Sequence, residues 1–159
     1  EVYGQEPASM LPVEALKAAL AQSSPAQEGR SGPRILDLCA APGSKATQLG
    51  AWLGGGGCLV ANEPDSKRAH VLRANLVRAG VDGFLLTRAE GQELGGMAPE
   101  LFDAVLVDAP CSSSGTVRKS PEVLDRWREP GTLERQVGSR VALQRALLRS
   151  GWQALRPGG

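Results

Sequence analysis

The stretch "RILDLCAAPGSKATQLGAWLGGGGCLVANE", residues 34–63, contains the pattern that decides the fold. The apolar run "RILDLCA" is typical of a buried strand, and "KATQLGAWL" has the composition of a helix that the glycines at 54–57 would end. "CLVANE" follows as a second apolar run of strand length. A strand, a helix and a strand in this order predict a right-handed crossover between two parallel strands.

The same alternation continues on both sides of this stretch. Asp65 can cap a helix that ends at Gly80, and "GFLLTR" and "FDAVLVDAP" predict a third and a fourth strand. A long helix from about residue 133 carries five apolar residues on one face, namely Val137, Val141, Leu148, Trp152 and Leu155. Before the first strand, "LPVEALKAAL" predicts a short helix opened by Pro12, and "AQSSPAQEGRSGPR" predicts a polar loop.

Strands that alternate with helices indicate a doubly wound α/β fold, in which a parallel sheet lies between two layers of helices. We expect an N-terminal helix and loop over residues 1–33 and a partial core over residues 34–159. The final helix should lead into a further strand that the sequence does not contain. We therefore expect a fragment whose core is truncated at its C-terminal side.

Composition bounds the class of protein. The 159 residues, of which 42% are hydrophobic, fit one globular domain. The three cysteines form no CxxC pair and the chain has one histidine, His70, so we expect no structural zinc site. We find neither a signal peptide nor an apolar run of membrane-spanning length, which favours an intracellular location without a membrane.

Charge is divided unevenly along the chain. Residues 1–111 carry 9 Lys and Arg against 13 Asp and Glu, a net charge of −4, whereas residues 112–159 carry 9 against 4, a net charge of +5. A basic segment of this kind can attract phosphates. It can equally be the solvated face of an amphipathic helix, and the two interpretations remain open.

The loop "DLCAAPGSK", residues 37–45, follows the first strand, where a doubly wound sheet binds a nucleotide-like ligand. Its small residues let the backbone approach a ligand closely, and a proline stiffens the turn before the helix. Glu63 ends the second strand about 20 residues beyond that loop, where an acidic side chain can accept hydrogen bonds from both hydroxyls of a ribose. The alternative is a tight strand-to-helix turn with an unrelated surface glutamate.

Two kinds of cofactor compete for this loop. A dinucleotide would need the spacing G-x-G-x-x-G, whose backbone N–H groups meet a pyrophosphate, and "CAAPGSK" lacks that spacing. S-adenosylmethionine has a ribose, an adenine and an amino-acid end, but it carries no phosphate. The loop therefore favours S-adenosylmethionine over a dinucleotide.

A cysteine opens the loop after the fourth strand in "DAPCSSSGTVRK", residues 108–119. Asp108 ends an apolar run, where an unpaired charge would be costly to bury, and the serines and glycine after Cys111 form a permissive loop. Such a loop presents a site at the carboxyl edge of a parallel sheet. Cys111 is thus either a functional thiol or a small hydrophobic filler.

Three segments together resemble one family. "DLCAAPGSK" and "DAPCSSSGTVRK" closely resemble two motifs of the RNA cytosine-C5 methyltransferases of the NOL1/NOP2/Sun family, and "GQEPASMLP", residues 4–12, resembles the segment that precedes their cofactor loop. The motifs occur in the family's order over almost the whole chain. The forms "SMLP" and "GTVRK" look more like the eukaryotic transfer-RNA branch than the bacterial ribosomal branch.

This resemblance implies a Rossmann-like methyltransferase core that uses S-adenosylmethionine and acts on RNA, with transfer RNA as the expected partner and without a metal. It implies a nuclear or nucleolar location in a eukaryote and a cytoplasmic one otherwise. Glu63 is expected to hold the ribose, Asp108 to lie between the cofactor and the target base, and Lys45 to lie near the reacting centre. The residues implied around the methionine part of the cofactor are Cys39, Ala40, Ala41, Pro42, Gly43, Ser44 and Lys45.

One position departs from the family pattern. The family usually has an aspartate after the third strand for the adenine amino group, whereas Ala89 stands near that position with Glu90 beside it. Either Glu90 substitutes or adenine recognition is weaker. Arg68 is expected to be a solvated or paired side chain rather than a ligand contact. The tryptophans, Trp52, Trp127 and Trp152, are expected to pack rather than to stack on bases.

The implied reaction requires a thiolate, because cytosine C5 is a weak nucleophile. The thiolate adds to C6, C5 then attacks the sulfonium methyl, and a base removes the C5 proton so that the enzyme is eliminated. In the family that the chain resembles, a cysteine in a Thr-Cys motif is the nucleophile and the cysteine of the Pro-Cys motif assists release. Cys111 matches the second, and no cysteine of this sequence follows a threonine.

We therefore expect the full-length protein to be an RNA (cytosine-5-)-methyltransferase and the 159-residue chain alone to be inactive. A non-catalytic RNA-binding or scaffold module with the same fold is the alternative.

Overall fold

The computed structural model of the chain describes residue 5 and residues 7–22, 32–111 and 132–159. Its strands are β1 (Arg34–Asp37), β2 (Cys58–Asn62), β3 (Phe84–Thr87) and β4 (Ala104–Leu106). Its helices are α1 (Pro7–Gln22), α2 (Ser44–Leu53), α3 (Ser66–Arg78), α4 (Gly91–Met97) and α5 (Thr132–Ala154). Most of the predicted loop at 21–34, the segment 112–119 and Trp127 lie outside the described residues.

The strands form one parallel sheet in the order β3-β2-β1-β4. Ile35 at the centre lies opposite Leu59 on β2 and Ala104 on β4. Because side chains alternate along a strand, Ile35 packs with residues of α1, α2 and α3, whereas Leu36 packs with residues of α4 and α5. Helices thus cover both faces of the sheet, and the predicted doubly wound α/β fold is confirmed.

Helix α1 differs from its prediction at its start. It begins at Pro7, and Pro12 lies inside the helix instead of opening it. Proline is favoured in the first helical turn, and in this chain Pro7 takes that place. The side chain of Val13 is fully buried in the core that α1 shares with α2 and the sheet. Burial of this side chain favours the helix despite the internal proline.

Helix α4 was not predicted, because three of its seven residues are glycines with low helix propensity. Tertiary packing explains why it forms. A Cβ atom added to Gly95 would lie 2.0 Å from the carbonyl oxygen of Ser150 in α5, so the two helices are in close contact. The Ser150 hydroxyl accepts a hydrogen bond from the Gly95 amide (2.8 Å) and donates one to the Gly91 carbonyl (2.6 Å).

Helix α5 turns a different face to the core than its apolar pattern suggested. Its buried residues include Leu147, Ser150, Gly151 and Ala154, three of them small. Four of the five apolar residues predicted to share a face are exposed, namely Val137, Val141, Leu148 and Trp152. Close contact with α4 selects small residues, so the large apolar ones lie on the solvent side. No described helix, α5 included, is long and apolar enough to cross a membrane.

The expectation that the tryptophans pack is wrong for Trp152, which is 79% exposed, and holds only in part for Trp52, which is 40% exposed.

Candidate functional site

The carboxyl ends of β1, β2 and β4 meet at one edge of the sheet, beside a cavity of about 390 Å³. Six of the residues singled out in the sequence line it: Cys39, Ala41, Glu63, Glu90, Asp108 and Cys111. The other loop residues, Ala40, Pro42, Gly43, Ser44 and Lys45, are not among its lining residues. Arg68, which was expected to be solvated or paired rather than a ligand contact, also lines the cavity. The other lining residues had no role assigned from the sequence, and they are Leu38, Pro64, Gly91, Gln92, Ala109, Pro110, Leu143 and Leu147.

The loop between β1 and α2 depends on a glycine. Gly43 has a φ of 116°, in the left-handed region that favours glycine, and a Cβ atom there would lie 3.2 Å from Leu72 on α3. Asn75 of α3 fixes the preceding residue by donating to the Pro42 carbonyl (2.7 Å). Gly43 also stands at the N-cap position of α2, where it has no side chain that could accept a hydrogen bond from the first N–H groups of the helix.

Glu63 lies directly after β2, with a side chain that is 2% exposed. Its carboxylate accepts a hydrogen bond from the Asp65 amide (3.0 Å) and lies 3.1 Å from the guanidinium of Arg68. Arg68 also donates to the Ala41 carbonyl (3.0 Å). The expectation that Arg68 is paired is confirmed, and its two contacts join the acidic residue to the loop after β1.

Asn62, the last residue of β2, was not singled out in the sequence, although it precedes Glu63. Its fully buried amide donates to the carbonyls of Leu38 (3.2 Å) and Ala89 (3.0 Å). Its side-chain oxygen accepts from the Thr87 hydroxyl (2.8 Å) and the Ala89 amide (3.1 Å). This one side chain therefore joins the ends of β1, β2 and β3 where the cavity begins.

The opposite wall is formed by the loop after β4. The ammonium of Lys45 lies 2.6 Å from a carboxylate oxygen of Asp108, so this loop is tied to the start of α2. Gln144 on α5 donates to the Pro110 carbonyl (2.8 Å) and fixes the same loop from the other side. Cys111 follows with an exposed thiol. Lys45 therefore contacts Asp108, and Asp108 lines the cavity together with Cys111.

Two titratable groups, the buried Asp37 and the partly buried Cys39, lie at the carboxyl end of β1, and of these Cys39 lines the cavity. Burial raises the pKa of Asp37 to about 7, and the negative charge of Asp108 acts in the same direction. A backbone contact to Cys39 and the positive charge of Lys45 lower this pKa in part. Neither Asp37 oxygen has a hydrogen bond of normal geometry among the described residues. Burial raises the pKa of the Cys39 thiol to about 12, and the negative charges of Asp37, Glu63 and Asp108 add to this effect. The positive charge of Arg68 lowers the pKa of this thiol in part.

Asp37 was missed as a functional candidate, although a charge at the end of an apolar run was the signal that singled out Asp108.

In the described parts of the chain, no three His, Cys, Asp or Glu side chains form a group that could hold a metal ion.

The residues after β3 lie at the far side of the cavity. Ala89 bonds to Asn62, whereas Glu90, Gly91 and Gln92 line the cavity wall. The Gln92 amide donates to the Glu90 carboxylate (3.3 Å). Ala89 and Glu90 stand where the family usually has an aspartate for the adenine amino group, and of these two residues Glu90 lines the cavity.

Comparison with known proteins identifies the family. A family model described as 16S rRNA methyltransferase RsmB/F matches residues 25–159. The chain belongs to this family. The resemblance to Sun-type RNA methyltransferases predicted from three motifs is therefore confirmed.

Relatives in the RsmB/F family and solved neighbours match nearly the whole chain. The ribosomal RNA small subunit methyltransferase F of Salmonella arizonae is 45% identical over 157 residues, which are 99% of this chain and 30% of that protein. NSun6 from Pyrococcus horikoshii, solved with SFG, is 26% identical with a TM-score of 0.74 over 99% of this chain and 36% of that one. A methyltransferase homolog from the same organism is 32% identical with a TM-score of 0.72, over 99% of this chain and 43% of that one.

These matches confirm the Rossmann-like methyltransferase fold. The chain spans 30% of the length of the curated RsmB/F-family relative described above. That relative carries the name of a ribosomal RNA enzyme, so the prediction of transfer RNA as the substrate stays a prediction.

Proposed function

We propose that the full-length protein transfers a methyl group from S-adenosylmethionine to C5 of cytosine in RNA, and that residues 1–159 supply its cofactor site. The observation that carries this proposal is the convergence of Glu63, Asp108 and Cys111 on one cavity at the carboxyl edge of the sheet. A ribose acceptor, a carboxylate beside the reacting centre and a thiol are the groups that this chemistry needs.

The cavity fits the nucleoside half of this cofactor. Glu63 is a buried carboxylate at the end of β2, suited to accept hydrogen bonds from two ribose hydroxyls. Glu90 lines the same cavity and would accept a hydrogen bond from the adenine amino group. NSun6, the neighbour solved with SFG, was crystallised with an analogue of S-adenosylmethionine, which supports the same cofactor for this chain.

The end of β1 fits the amino-acid half. Neither oxygen of the buried Asp37 has a hydrogen bond of normal geometry in the described residues, so a sulfonium or ammonium group nearby would stabilise the ionised carboxylate. The N-terminus of α2 has no side-chain cap, which suits the cofactor's carboxylate. Residues 39–45, between these two features, would hold the methionine part. When bound, the cofactor supplies an electrophilic methyl group.

The two thiols at the cavity are suited to different roles. The Cys39 thiol, whose pKa is raised to about 12, stays protonated near neutral pH and is a poor nucleophile. Cys111 is exposed at the cavity and free of that burial. We propose that Cys111 assists release of the methylated base, and that the attacking thiolate is supplied by a Thr-Cys cysteine of the full-length protein.

The RNA class is the finer part of the proposal. The name of the Salmonella relative supports small-subunit ribosomal RNA, whereas the forms "SMLP" and "GTVRK" are the basis for transfer RNA. We propose ribosomal RNA as the first substrate to test, because the identity to that relative extends over 99% of the chain.

Methyl incorporation tests the proposal directly. The full-length protein is incubated with S-adenosylmethionine labelled in its methyl group and with small-subunit ribosomal RNA or transfer RNA, and the digested RNA is separated by chromatography. We expect label in 5-methylcytidine and none when the 159-residue chain replaces the full-length protein. Label in another nucleoside would contradict the assigned reaction, and RNA binding without any label would favour a non-catalytic module.

A further inference from the structure

The start of α2 is held by residues from outside the cofactor loop. Gln5 donates from its side-chain amide to the Ser44 carbonyl (2.5 Å) and to the Thr47 hydroxyl (3.2 Å). The hydroxyls of Ser9 and Ser44 lie 3.2 Å apart. These contacts from the N-terminal segment hold the first turn of α2.

The position of these contacts distinguishes them from the rest of the α1–α2 interface. Farther along the two helices, Gln48 donates to the Glu14 carboxylate (2.7 Å) and to the Met10 carbonyl (3.4 Å), and Val13 is fully buried. Those contacts hold α1 against α2 without touching the cofactor loop. Gln5 and Ser9 instead bond to its Ser44 end.

Ser44 connects directly to the reacting side of the site. Lys45 follows it and forms the 2.6 Å ion pair with Asp108, which lines the cavity. A shift of the first turn of α2 would therefore displace both the loop around the cofactor and the partner of Asp108. Small displacements of positioning groups have large effects on binding and on rate.

We propose that Gln5 and Ser9 are positioning residues for the cofactor loop: through Ser44 they hold residues 39–45 and Lys45 in the geometry that binds S-adenosylmethionine. This inference rests on the proposed function. It assigns a role to two residues of the segment "GQEPASMLP", for which the resemblance to the family had implied no role. Gln5→Ala removes two donated hydrogen bonds. It should weaken cofactor binding by about 5-fold to 30-fold, which is the affinity change that corresponds to the usual free energy of one or two hydrogen bonds.

Calorimetric titration with S-adenosylhomocysteine, the demethylated product, tests this on the 159-residue chain. The variants are Gln5→Ala, Ser9→Ala and Ser9→Thr, which keeps the hydroxyl, with Gln48→Ala as the control at the same helix interface. Thermal unfolding is measured for each. We expect Gln5→Ala and Ser9→Ala to weaken binding, Ser9→Thr to bind as the unaltered chain does, and Gln48→Ala to lower the melting temperature at least as much without weakening binding.

The possible outcomes separate the inference from the function on which it rests. If the unaltered chain binds the product and Gln5→Ala binds within twofold of it, the inference is wrong and the proposed function stands. Equal weakening by Gln5→Ala and Gln48→Ala would mean that the contacts are merely structural, which also overturns it. Absence of binding by the unaltered, folded chain would overturn the proposed cofactor site and this inference together.

Discussion

The ammonium of Lys45 lies 2.6 Å from a carboxylate oxygen of Asp108, and this ion pair joins the first turn of α2, where one loop ends, to a second loop 63 residues later in the sequence. One loop follows β1 and surrounds the proposed cofactor site, and the other follows β4 and leads to Cys111. The Lys45 side chain is 15% exposed and that of Asp108 is 56% exposed. The pair therefore ties the two segments together while remaining in contact with solvent.

Replacing Lys45 should affect function far more than stability. An ion pair with one partner in solvent contributes at most about 1 kcal/mol to the free energy of unfolding. We expect Lys45→Met to lower that free energy by no more than this in urea unfolding, and to reduce methyl transfer by the full-length protein by about 100-fold or more, since the variant misplaces Asp108. Lys17→Met, which removes an exposed ion pair to Glu14, is the stability control. Normal methyl transfer by Lys45→Met would contradict a role near the reacting centre.

Glu63→Ala should weaken cofactor binding. The buried carboxylate is the proposed acceptor for two ribose hydroxyls, and leaving such groups unpaired costs about 1–3 kcal/mol. Calorimetric titration of S-adenosylhomocysteine into the chain measures this as a loss of about 5-fold to 150-fold in affinity. Glu93→Ala, at an exposed position on α4, is the control and should bind normally. Equal affinity of Glu63→Ala and the unaltered chain would remove the ribose assignment.

Asp37 should make stability fall as pH rises. Its pKa is raised by burial from 3.8 to about 7, so between these values the folded chain binds more protons than the unfolded chain. The contribution of Asp37 to the free energy of unfolding is fully present below about pH 4 and is lost by about pH 7. Its upper limit is about 4 kcal/mol. Asp37→Asn cannot ionise and should lack this decline. Thermal unfolding of both chains at several pH values measures it, and identical profiles would show that Asp37 ionises freely in the fold.

Cys111→Ala in the full-length protein should trap an intermediate. If Cys111 assists elimination, the variant still forms the bond to C6 and methylates C5, but it cannot release the base. A covalent protein–RNA adduct should then accumulate as a slowly migrating band in denaturing electrophoresis with labelled RNA. Cys58→Ala, outside the residues that line the cavity, should show no such band. Normal turnover by Cys111→Ala would mean that this thiol is a small filler.

Gly95 and Gly96 on α4 should respond oppositely to alanine. A Cβ atom at Gly95 would lie 2.0 Å from the Ser150 carbonyl oxygen, so Gly95→Ala should push α4 from α5 and destabilise the fold by about 1–3 kcal/mol. No atom lies within 4 Å of a Cβ atom at Gly96, so Gly96→Ala should stabilise the helix by about 0.5–1 kcal/mol. Urea unfolding of the two variants measures both effects. Similar values would show that the contact between α4 and α5 is loose.

The central elements were predictable because their signals are local. Asp65 caps α3 by accepting from the Arg68 amide (2.8 Å), and Gly54 ends α2 in a left-handed conformation, both as the sequence indicated. Glu63 and Cys111 were found in the same way, because Glu63 directly follows β2 and Cys111 lies in the loop after β4. The order of the strands then brought them to one edge.

The missed features depend on contacts between distant segments. Helix α4 forms because its glycines fit against Ser150, a residue more than 50 positions later in the chain. The same contact turns the small residues of α5 inward, which periodicity could not reveal. Asn62 is the last residue of β2, and its bonds to Leu38 and Ala89 become visible only when the ends of neighbouring strands are seen together.

The four hydrogen bonds of Asn62 bear on how the proposed cofactor site could be re-engineered. They fix where the loop after β3 leaves the sheet, independently of what that loop contains beyond Ala89. The segment that begins at Glu90 has a second constraint, because Gly91 and Gly95 fit against Ser150 on α5. Grafting the corresponding segment of another family member should therefore preserve the fold only if Asn62, Thr87 and these two glycines are all kept. The proposed adenine site could then be redesigned for modified cofactors at Glu90 and Gln92 without rebuilding the sheet.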